Sequence, residues 1–232
     1  MEKAVIKTSN EIYELLIESL KNNNTGEIFF SFNGIEINIT TKDVIGGILQ
    51  EWFGAWLKQN GIFFKTKENT QEFPDFIINE KLKNGMLEFK SFDLDRGANF
   101  DVANFDSYKR SLLTDSYRLD ADYIVVGYRV SDSGKITIEK VWLKKVWELC
   151  TSSERFALKT QCKQNTIYNI RPASWYSNNA KYKPFTSKEE FIQALYETIK
   201  KYKSPEDAKK WLDTVIQNYY DHNRIKLNIK KA

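Results

Sequence analysis

The sequence predicts an α/β fold in which helices flank a central mixed β-sheet. Three observations lead to this prediction: helical and β-rich segments alternate along the chain, two β-rich segments are mainly apolar, and no internal repeat or low-complexity tract occurs. A chain of 232 residues also fits the size of one domain. We therefore expect a single domain over residues 1–232.

Helices are predicted where apolar residues recur every three to four positions behind a capping residue. Asp43 is expected to cap the second helix and Ser204 the last, with Pro205 in its first turn. The buried stripe of the second helix is predicted to be apolar and aromatic: Ile45, Ile48, Leu49, Trp52 and Trp56. The predicted helices cover residues 11–21, 43–58, 105–113, 187–200 and 204–219.

Strands are predicted where β-branched and aromatic residues cluster between turn signals. Asn33-Gly34 is typical of a type I′ hairpin turn, and Asp132-Ser133-Gly134 is expected to join a second strand pair. The predicted strands cover residues 28–32, 35–39, 73–78, 86–92, 123–130 and 136–142, with shorter β-like pieces at 156–161 and 166–170.

The rarer residue types exclude several kinds of site. Cys150 and Cys162 have neither metal-ligand spacing nor a disulfide framework, and no apolar stretch is long enough for a membrane span, so we expect a cytoplasmic protein. The single histidine, His222, cannot supply a His-rich zinc site or a histidine pair, and a Ser/His/Asp triad is nearly excluded. Carboxylates and lysines must therefore carry any chemistry.

One constellation of residues matches that requirement. Asp75 follows Pro74 in the chain's one Pro-Asp pair, and Glu88-Phe89-Lys90 begins thirteen residues later inside an apolar strand. Residues two apart on a strand share a face, so Glu88 and Lys90 lie together, and strand pairing would bring Asp75 beside Glu88. The two carboxylates and the Phe89 carbonyl are oxygen ligands suited to Mg²⁺, while Lys90 could position water or stabilise negative charge. The pattern predicts metal-dependent phosphodiester hydrolysis.

A plainer interpretation of the same residues exists. Asp75 could cap a turn, and Glu88 could form an ion pair with Lys90 on an exposed sheet edge. The one other acid-x-lysine sequence, Asp207-Ala208-Lys209, lies in a predicted helix, where positions two apart diverge. The apolar surroundings of Glu88 favour the catalytic interpretation, since charges in apolar strands rarely lack a partner or a function.

Pro74-Asp75 followed by Glu88-Phe89-Lys90 resembles the PD-(D/E)XK nuclease superfamily, to which most type II restriction endonucleases belong. The resemblance implies a restriction-endonuclease-like core and metal-dependent DNA cleavage. In that superfamily a preceding helix often adds another acid, and Glu51 matches by position as a catalytic and metal-binding residue. The alternative for Glu51 is a solvated helix charge.

Further stretches are similar to the NgoBV/NlaIV group of restriction endonucleases. They are residues 48–52 (ILQEW), 70–76 (TQEFPDF) and 168–172 (YNIRP). This resemblance implies cleavage of a GGNNCC-type palindrome and a cognate DNA methyltransferase. Within the single domain we expect a catalytic core over residues 40–150 and a DNA-reading, C-terminal helical part over residues 151–232. A homodimer is expected, because a palindrome presents one strand to each of two symmetric subunits.

The DNA-contacting surface is predicted mainly in the part of the chain after residue 150. Residues 161–176 are dense in side chains that bind base edges and phosphates, with Gln161, Lys163, Asn169 and Arg171 as leading candidates. Asn104 and Tyr108 are further candidates, since they follow the catalytic strand closely. The alternative is an ordinary surface loop. Three acids could add to the metal site or, more commonly, cap turns: Asp93, Asp95 and Asp101.

The leading hypothesis is thus a homodimeric, Mg²⁺-dependent type II restriction endonuclease that acts on double-stranded DNA. Two alternatives stay open at this point. The first is a repair or junction-resolving nuclease of the same superfamily, which would prefer branched or damaged DNA. The second is a DNA-binding protein that has lost its activity, although the intact Asp75, Glu88 and Lys90 argue against it.

Overall fold

The computed structural model describes residues 4–41, 44–69 and 72–229. Its helices are α1 (Ser9–Asn22), α2 (Ile45–Gln59), α3 (Phe105–Ser111), α4 (Lys188–Tyr202) and α5 (Pro205–Asn223). Its strands are β1 (Thr25–Gly26), β2 (Phe29–Phe32), β3 (Ile35–Asn38), β4 (Phe76–Ile77), β5 (Met86–Asp93), β6 (Ala103–Asn104), β7 (Asp122–Val130), β8 (Ile136–Lys145), β9 (Thr160–Lys163) and β10 (Thr166–Ile170). Over these ranges, no helix is both long and apolar enough to cross a membrane.

The described residues form two compact units that interleave along the chain. The first combines the residues up to Ala98 with Asp122–Lys144, and the second combines Asn99–Ala121 with the residues from Lys145 onward. The single domain over residues 1–232, with its catalytic core over 40–150, stays a prediction.

A mixed five-stranded sheet forms the centre of the first unit, as predicted. Its strand order is β1-β8-β7-β5-β4. The central pair, β5 and β7, is parallel and runs from Leu87 opposite Asp122 to Asp93 opposite Tyr128. The outer pairs β4–β5 and β1–β8 are antiparallel. The central strands are buried almost throughout, which explains their mainly apolar sequences.

Helix α2 packs on this sheet through Phe53. The Phe53 ring lies 5.0 Å from the Phe89 ring of β5 and 5.3 Å from the Phe76 ring of β4. All three side chains are buried in one apolar cluster that also includes residues of α1 and β7. The contact fixes both the rotation of α2 and the position of the two strands that follow it.

The predicted buried stripe of α2 is partly wrong. Ile45, Leu49 and Trp56 are buried as expected, but Ile48 is exposed and Trp52 is only half-buried. Apolar residues surround most of this helix, so their spacing could not select one face. The aromatic rings of the sheet select the face that carries Phe53. Asp43, the predicted cap, lies outside the described residues.

The hairpin β2–β3 has the predicted turn. Asn33 and Gly34 have φ values of 51° and 77°, the left-handed conformations that a type I′ turn requires. The two strands form a separate two-stranded sheet. Thr8 caps helix α1, because Thr8 and Glu11 exchange side-chain to backbone hydrogen bonds.

Strand β4 is shorter than predicted, because only Phe76–Ile77 pairs within the segment 73–78. Pro74 has no N–H to donate to a ladder, so the segment before Asp75 cannot extend the pairing with β5. The Phe73–Pro74 peptide bond is cis. The register that remains, Phe76 opposite Leu87, directs the preceding residue towards Glu88.

The second unit contains the three-stranded sheet β6-β10-β9 and the helices α3, α4 and α5. Ser187 and Ser204 cap α4 and α5 through their side chains, and Pro205 occupies the first turn of α5 as predicted. The β-like piece predicted at residues 156–161 pairs only from Thr160 onward.

Phe53→Ala is expected to lower the free energy of unfolding by about 3–5 kcal/mol, because it empties the contact between α2 and the sheet. Ile48→Ala, one of the predicted stripe positions, should lower it by less than about 1 kcal/mol because Ile48 is exposed. Urea unfolding of both variants measures the difference. Equal losses would mean that α2 packs through the face predicted from its sequence.

Candidate active site

Asp75 and Glu88 lie side by side, as the sequence predicts. Asp75 immediately precedes β4 and Glu88 is in the adjacent β5. The Asp75 amide N donates to Glu88 Oε2 at 3.1 Å, and the Phe89 amide N donates to Asp75 Oδ2 at 2.9 Å. Each carboxylate therefore accepts a backbone hydrogen bond from the other strand, which fixes both side chains relative to the sheet.

Lys90 lies on the same face of β5 as Glu88. Its Nζ donates to Glu88 Oε1 at 2.8 Å. Glu88 is only 7% exposed, and β5 lies between β4 and β7, so the ion pair is not on an exposed sheet edge. A buried carboxylate is stable only with partners of this kind, and Glu88 has both an ammonium and a backbone N–H.

The pKa of Asp75 is raised to about 6. Burial is the main cause, and the negative charge of Glu88 raises the pKa further. The Lys90 ammonium, the Phe89 N–H and the Gln50 amide lower it, but they do not offset the burial. The ionised form of Asp75 is therefore disfavoured, and a cation bound beside it would offset this cost.

Gln50 of α2 also contacts Asp75, and the sequence analysis missed it. The Gln50 Nε2 donates to Asp75 Oδ1 at 3.1 Å, so both Asp75 oxygens accept a hydrogen bond. Gln50 directly precedes Glu51, the residue that the sequence predicted for the site. Successive residues on a helix point about 100° apart, so the rotation of α2 decides which of the two reaches Asp75.

Glu51 is exposed and lines the same cavity as Asp75, so its role as a catalytic and metal-binding residue stays a prediction. Across residues 4–41, 44–69 and 72–229, no group of three or more acidic, histidine or cysteine side chains is arranged to hold a metal ion. The cavity has a volume of about 320 Å³, and Gln50, Lys58, Thr66 and Lys67 also line it.

The further acids considered from the sequence have other partners. Asp93 is buried, and its Oδ1 accepts a hydrogen bond from the Asp95 amide N at 2.9 Å, which is a turn-capping role. Asp95 forms an ion pair with Arg129. Asp101 belongs to the second unit, where it binds two of the predicted DNA-contacting residues.

Three of the predicted DNA-contacting residues share one hydrogen-bond network with Asp101. Arg171 donates to Asp101 Oδ1 and to the Asn99 carbonyl, both at 2.5 Å. Asn169 Nδ2 donates to Asp101 Oδ2 at 2.8 Å and to Gln161 Oε1 at 3.1 Å. The network fixes the Arg171 and Asn169 side chains on neighbouring parts of β10 and its following loop.

The other three candidates differ in exposure. Lys163 is exposed and lies over the Tyr168 ring, 5.6 Å from its centroid. Asn104 is exposed at the start of α3, where its side chain caps the helix and donates to the Tyr168 carbonyl. These two side chains lie on the surface of the second unit.

Tyr108 is a correction to the prediction. It is only 1% exposed, and its ring packs against Phe191 of α4 at 5.9 Å. Burial raises the pKa of its hydroxyl well above the usual value. Tyr108 belongs to the core of its unit, and the spacing of Phe105, Tyr108 and Leu112 could have indicated a buried helix face.

A family model described as NgoBV restriction endonuclease matches residues 6–232. The chain belongs to this restriction endonuclease family. The type II restriction enzyme NlaIV of Neisseria lactamica is 35% identical over 230 residues, which cover 97% of this chain and 94% of that protein. The type II restriction enzyme NgoBV of Neisseria gonorrhoeae is 33% identical over 159 residues, covering 68% of this chain and 90% of that protein.

A solved structure of the NlaIV restriction endonuclease matches this structure with a TM-score of 0.91 and 33% identity. The match covers 98% of this chain and 94% of that chain. The family resemblance and the restriction-endonuclease-like α/β fold expected from the sequence are thereby confirmed. As a member of the NgoBV family, the chain is a type II restriction endonuclease in its general class.

Asp75→Asn is expected to stabilise the metal-free protein by about 2 kcal/mol at pH 8, because it removes a buried charge beside Glu88. Folding raises the pKa of Asp75 from about 4 to about 6, so folding takes up a proton. The contribution of Asp75 to stability is complete below pH ~4 and is lost as the pH rises through ~6.

The stability difference between Asp75→Asn and the wild type should therefore widen from pH ~4 to pH ~7 and then stay constant. Urea unfolding in EDTA at several pH values measures it. A variant that is less stable than the wild type at pH 8 would contradict the cause assigned to the raised pKa.

Proposed function

We propose that this chain is a Mg²⁺-dependent type II restriction endonuclease that hydrolyses phosphodiester bonds in double-stranded DNA at a specific sequence. The observation that carries the proposal is the buried arrangement of Asp75, Glu88 and Lys90. Membership of the NgoBV restriction endonuclease family supports the proposal independently of the site geometry. Restriction of foreign DNA would take place in the cytoplasm.

The residues at the site fit a magnesium ion. Mg²⁺ takes oxygen ligands, retains several waters and is commonly held by one or two carboxylates, which is the number that Asp75 and Glu88 supply. The Phe89 carbonyl is the proposed third protein ligand. The raised pKa of Asp75 supports the same assignment, since two buried carboxylates are stabilised by a cation. When bound, the ion offsets negative charge at the scissile phosphate and lowers the pKa of an attacking water.

The protein groups around the carboxylates have separate roles in this proposal. Glu88 holds the Lys90 ammonium through its Oε1, so that Lys90 can position the attacking water or stabilise charge on the phosphate. Gln50 and the Phe89 N–H each bind one Asp75 oxygen and fix the carboxylate plane. These groups hold the carboxylates and the ammonium in position before DNA binds, which reduces the cost of reaching the reactive geometry.

Sequence recognition is assigned to the second unit. The guanidinium of Arg171 suits the O6 and N7 atoms of guanine, and Gln161, Lys163, Asn169 and Asn104 add donors and acceptors on the same unit. Asp101 holds Arg171 and Asn169 in place and reduces the conformational entropy lost on binding. A GGNNCC-like palindrome is the proposed target, and a cognate methyltransferase would protect the same sites in the host genome. A homodimer is the proposed assembly.

The proposal is tested by incubating the chain with long DNA of known sequence, with Mg²⁺ or EDTA. The wild type should give sharp fragments with Mg²⁺ alone, and Lys90→Ala should lower the cleavage rate at least about a hundredfold by removing the positioned charge. Lys209→Ala is the matched control, because Lys209 lies in the other acid-x-lysine sequence, exposed on α5.

Each other result has a definite meaning for the proposal. Cleavage only of branched or damaged DNA would replace it with a structure-specific nuclease. Binding without cleavage under any metal condition would replace it with a non-catalytic DNA-binding protein. A Lys209→Ala loss equal to that of Lys90→Ala would show that the effect is not specific to the site.

Gln50→Ala is expected to lower the cleavage rate and raise the Mg²⁺ concentration for half-maximal rate, each by about 10- to 100-fold, because Asp75 loses its orienting partner. Glu51→Ala, one position along the same helix, should change either value by less than about threefold because Glu51 is exposed. Cleavage rates measured over a range of Mg²⁺ concentrations distinguish the two variants. A larger effect of Glu51→Ala would restore Glu51 as the fourth site residue.

A further inference from the structure

The hairpin β2–β3 presents a large apolar face to solvent. Residues opposite each other in an antiparallel pair share a face, and here Phe30 pairs with Ile37 and Phe32 with Ile35. These four side chains therefore form one continuous apolar face, and each is 49–71% exposed. The Phe30 and Phe32 rings stack at 6.4 Å. Such a patch on an isolated two-stranded sheet normally has a partner.

The opposite face of the hairpin is mainly polar. It carries Ser31, Glu36 and Asn38, together with Phe29. Asn38 Nδ2 donates to the Ser133 carbonyl at 3.0 Å, and the Asn38 side chain lies close against Gly134 in the turn between β7 and β8. Side chains on both faces of the hairpin are exposed, so the four apolar side chains keep about half or more of their surface in contact with water, which is unfavourable.

We propose that the apolar face of β2–β3 is a two-fold contact with a second copy of this chain. The choice of a second copy as occupant rests on the proposed function, in which a palindrome is cut by two symmetric subunits. In such a contact the Phe30, Phe32, Ile35 and Ile37 side chains of each copy pack against the same residues of the other.

The chemistry of the face fits a self-complementary contact. None of its four side chains can ionise or donate a hydrogen bond, so two copies meet without charge repulsion, and the face offers nothing that binds a phosphate. Flat rows of aromatic and aliphatic side chains from two sheets interdigitate well when they face each other.

The exposed area of the face supplies part of what a stable dimer needs. The four side chains present roughly 500 Å² per copy, since such side chains bury about 150–250 Å² when fully covered and each is here 49–71% exposed. A stable interface buries about 800 Å² per partner. An apolar groove of about 230 Å³ continues the surface at the base of the hairpin, where Ile28 lines it with Ile48 and Trp52 of α2. That groove gives the exposed Ile48 a place in the same interface.

The test is the mass of the full chain by sedimentation velocity, in buffer without DNA or metal, over a wide range of concentration. The wild type should have twice the monomer mass. Phe32→Ser/Ile35→Ser should raise the dimer dissociation constant at least about a hundredfold. Phe29→Ser is the matched control, since Phe29 is 67% exposed on the opposite face of the same hairpin and should leave the dimer intact.

Three results would overturn the proposal: a monomeric wild type at every concentration, dimerisation of the double variant as tight as that of the wild type, or an equal loss in Phe29→Ser. Circular dichroism verifies that each variant is folded. Hydrogen exchange of the wild type tests the interface without any substitution. The amides of Phe29–Phe32 and Ile35–Asn38 should exchange more slowly as the protein concentration rises.

Protection of those amides only after DNA is added would assign the face to DNA and also overturn the proposal. None of these measurements depends on cleavage. A dimer that breaks with the double variant but cuts no DNA would retain the interface and reject the proposed function. A monomer that cuts DNA at a specific sequence would support the proposed function and reject the interface.

Discussion

The antiparallel register of β4 and β5 is the constraint on which the candidate site depends. Placing Phe76 opposite Leu87 brings Asp75 beside Glu88, and each carboxylate then accepts a backbone N–H from the facing strand. Burying two like charges together is unfavourable, and the raised pKa of Asp75 reflects it. The rest of the sheet must hold this pair in place against that repulsion.

The core on the other face of β5 provides this support. Alternate residues of a strand point to opposite faces, so Phe89 enters the apolar cluster while Glu88 and Lys90 face the site. Phe53 of α2 stacks on Phe89, and the same helix places Gln50 on Asp75. The packing of one helix thus determines both the stability of the sheet and the set of groups around the carboxylates.

The rotation of α2 about its own axis also decides which of its side chains are exposed on the first unit. With Phe53 buried, Ile48 remains exposed and Glu51 faces the cavity beside Asp75. In the second unit, Arg171 and Asn169 donate to a carboxylate, Asp101. Hydrogen bonds therefore position both the proposed catalytic groups and the proposed recognition groups, and in the first unit the packing of α2 on the sheet supports them as well.

The features that depend on local periodicity and spacing could be predicted from the sequence. It indicated the mixed sheet, the Asn33-Gly34 turn, the capped C-terminal helices and the proximity of Asp75, Glu88 and Lys90, because strand alternation and turn chemistry are local rules. Helix rotation and burial depend on tertiary contacts instead. The tertiary structure placed the Gln50 amide on Asp75, buried Tyr108, and exposed Ile48, since an apolar helix packs on the face that the sheet selects.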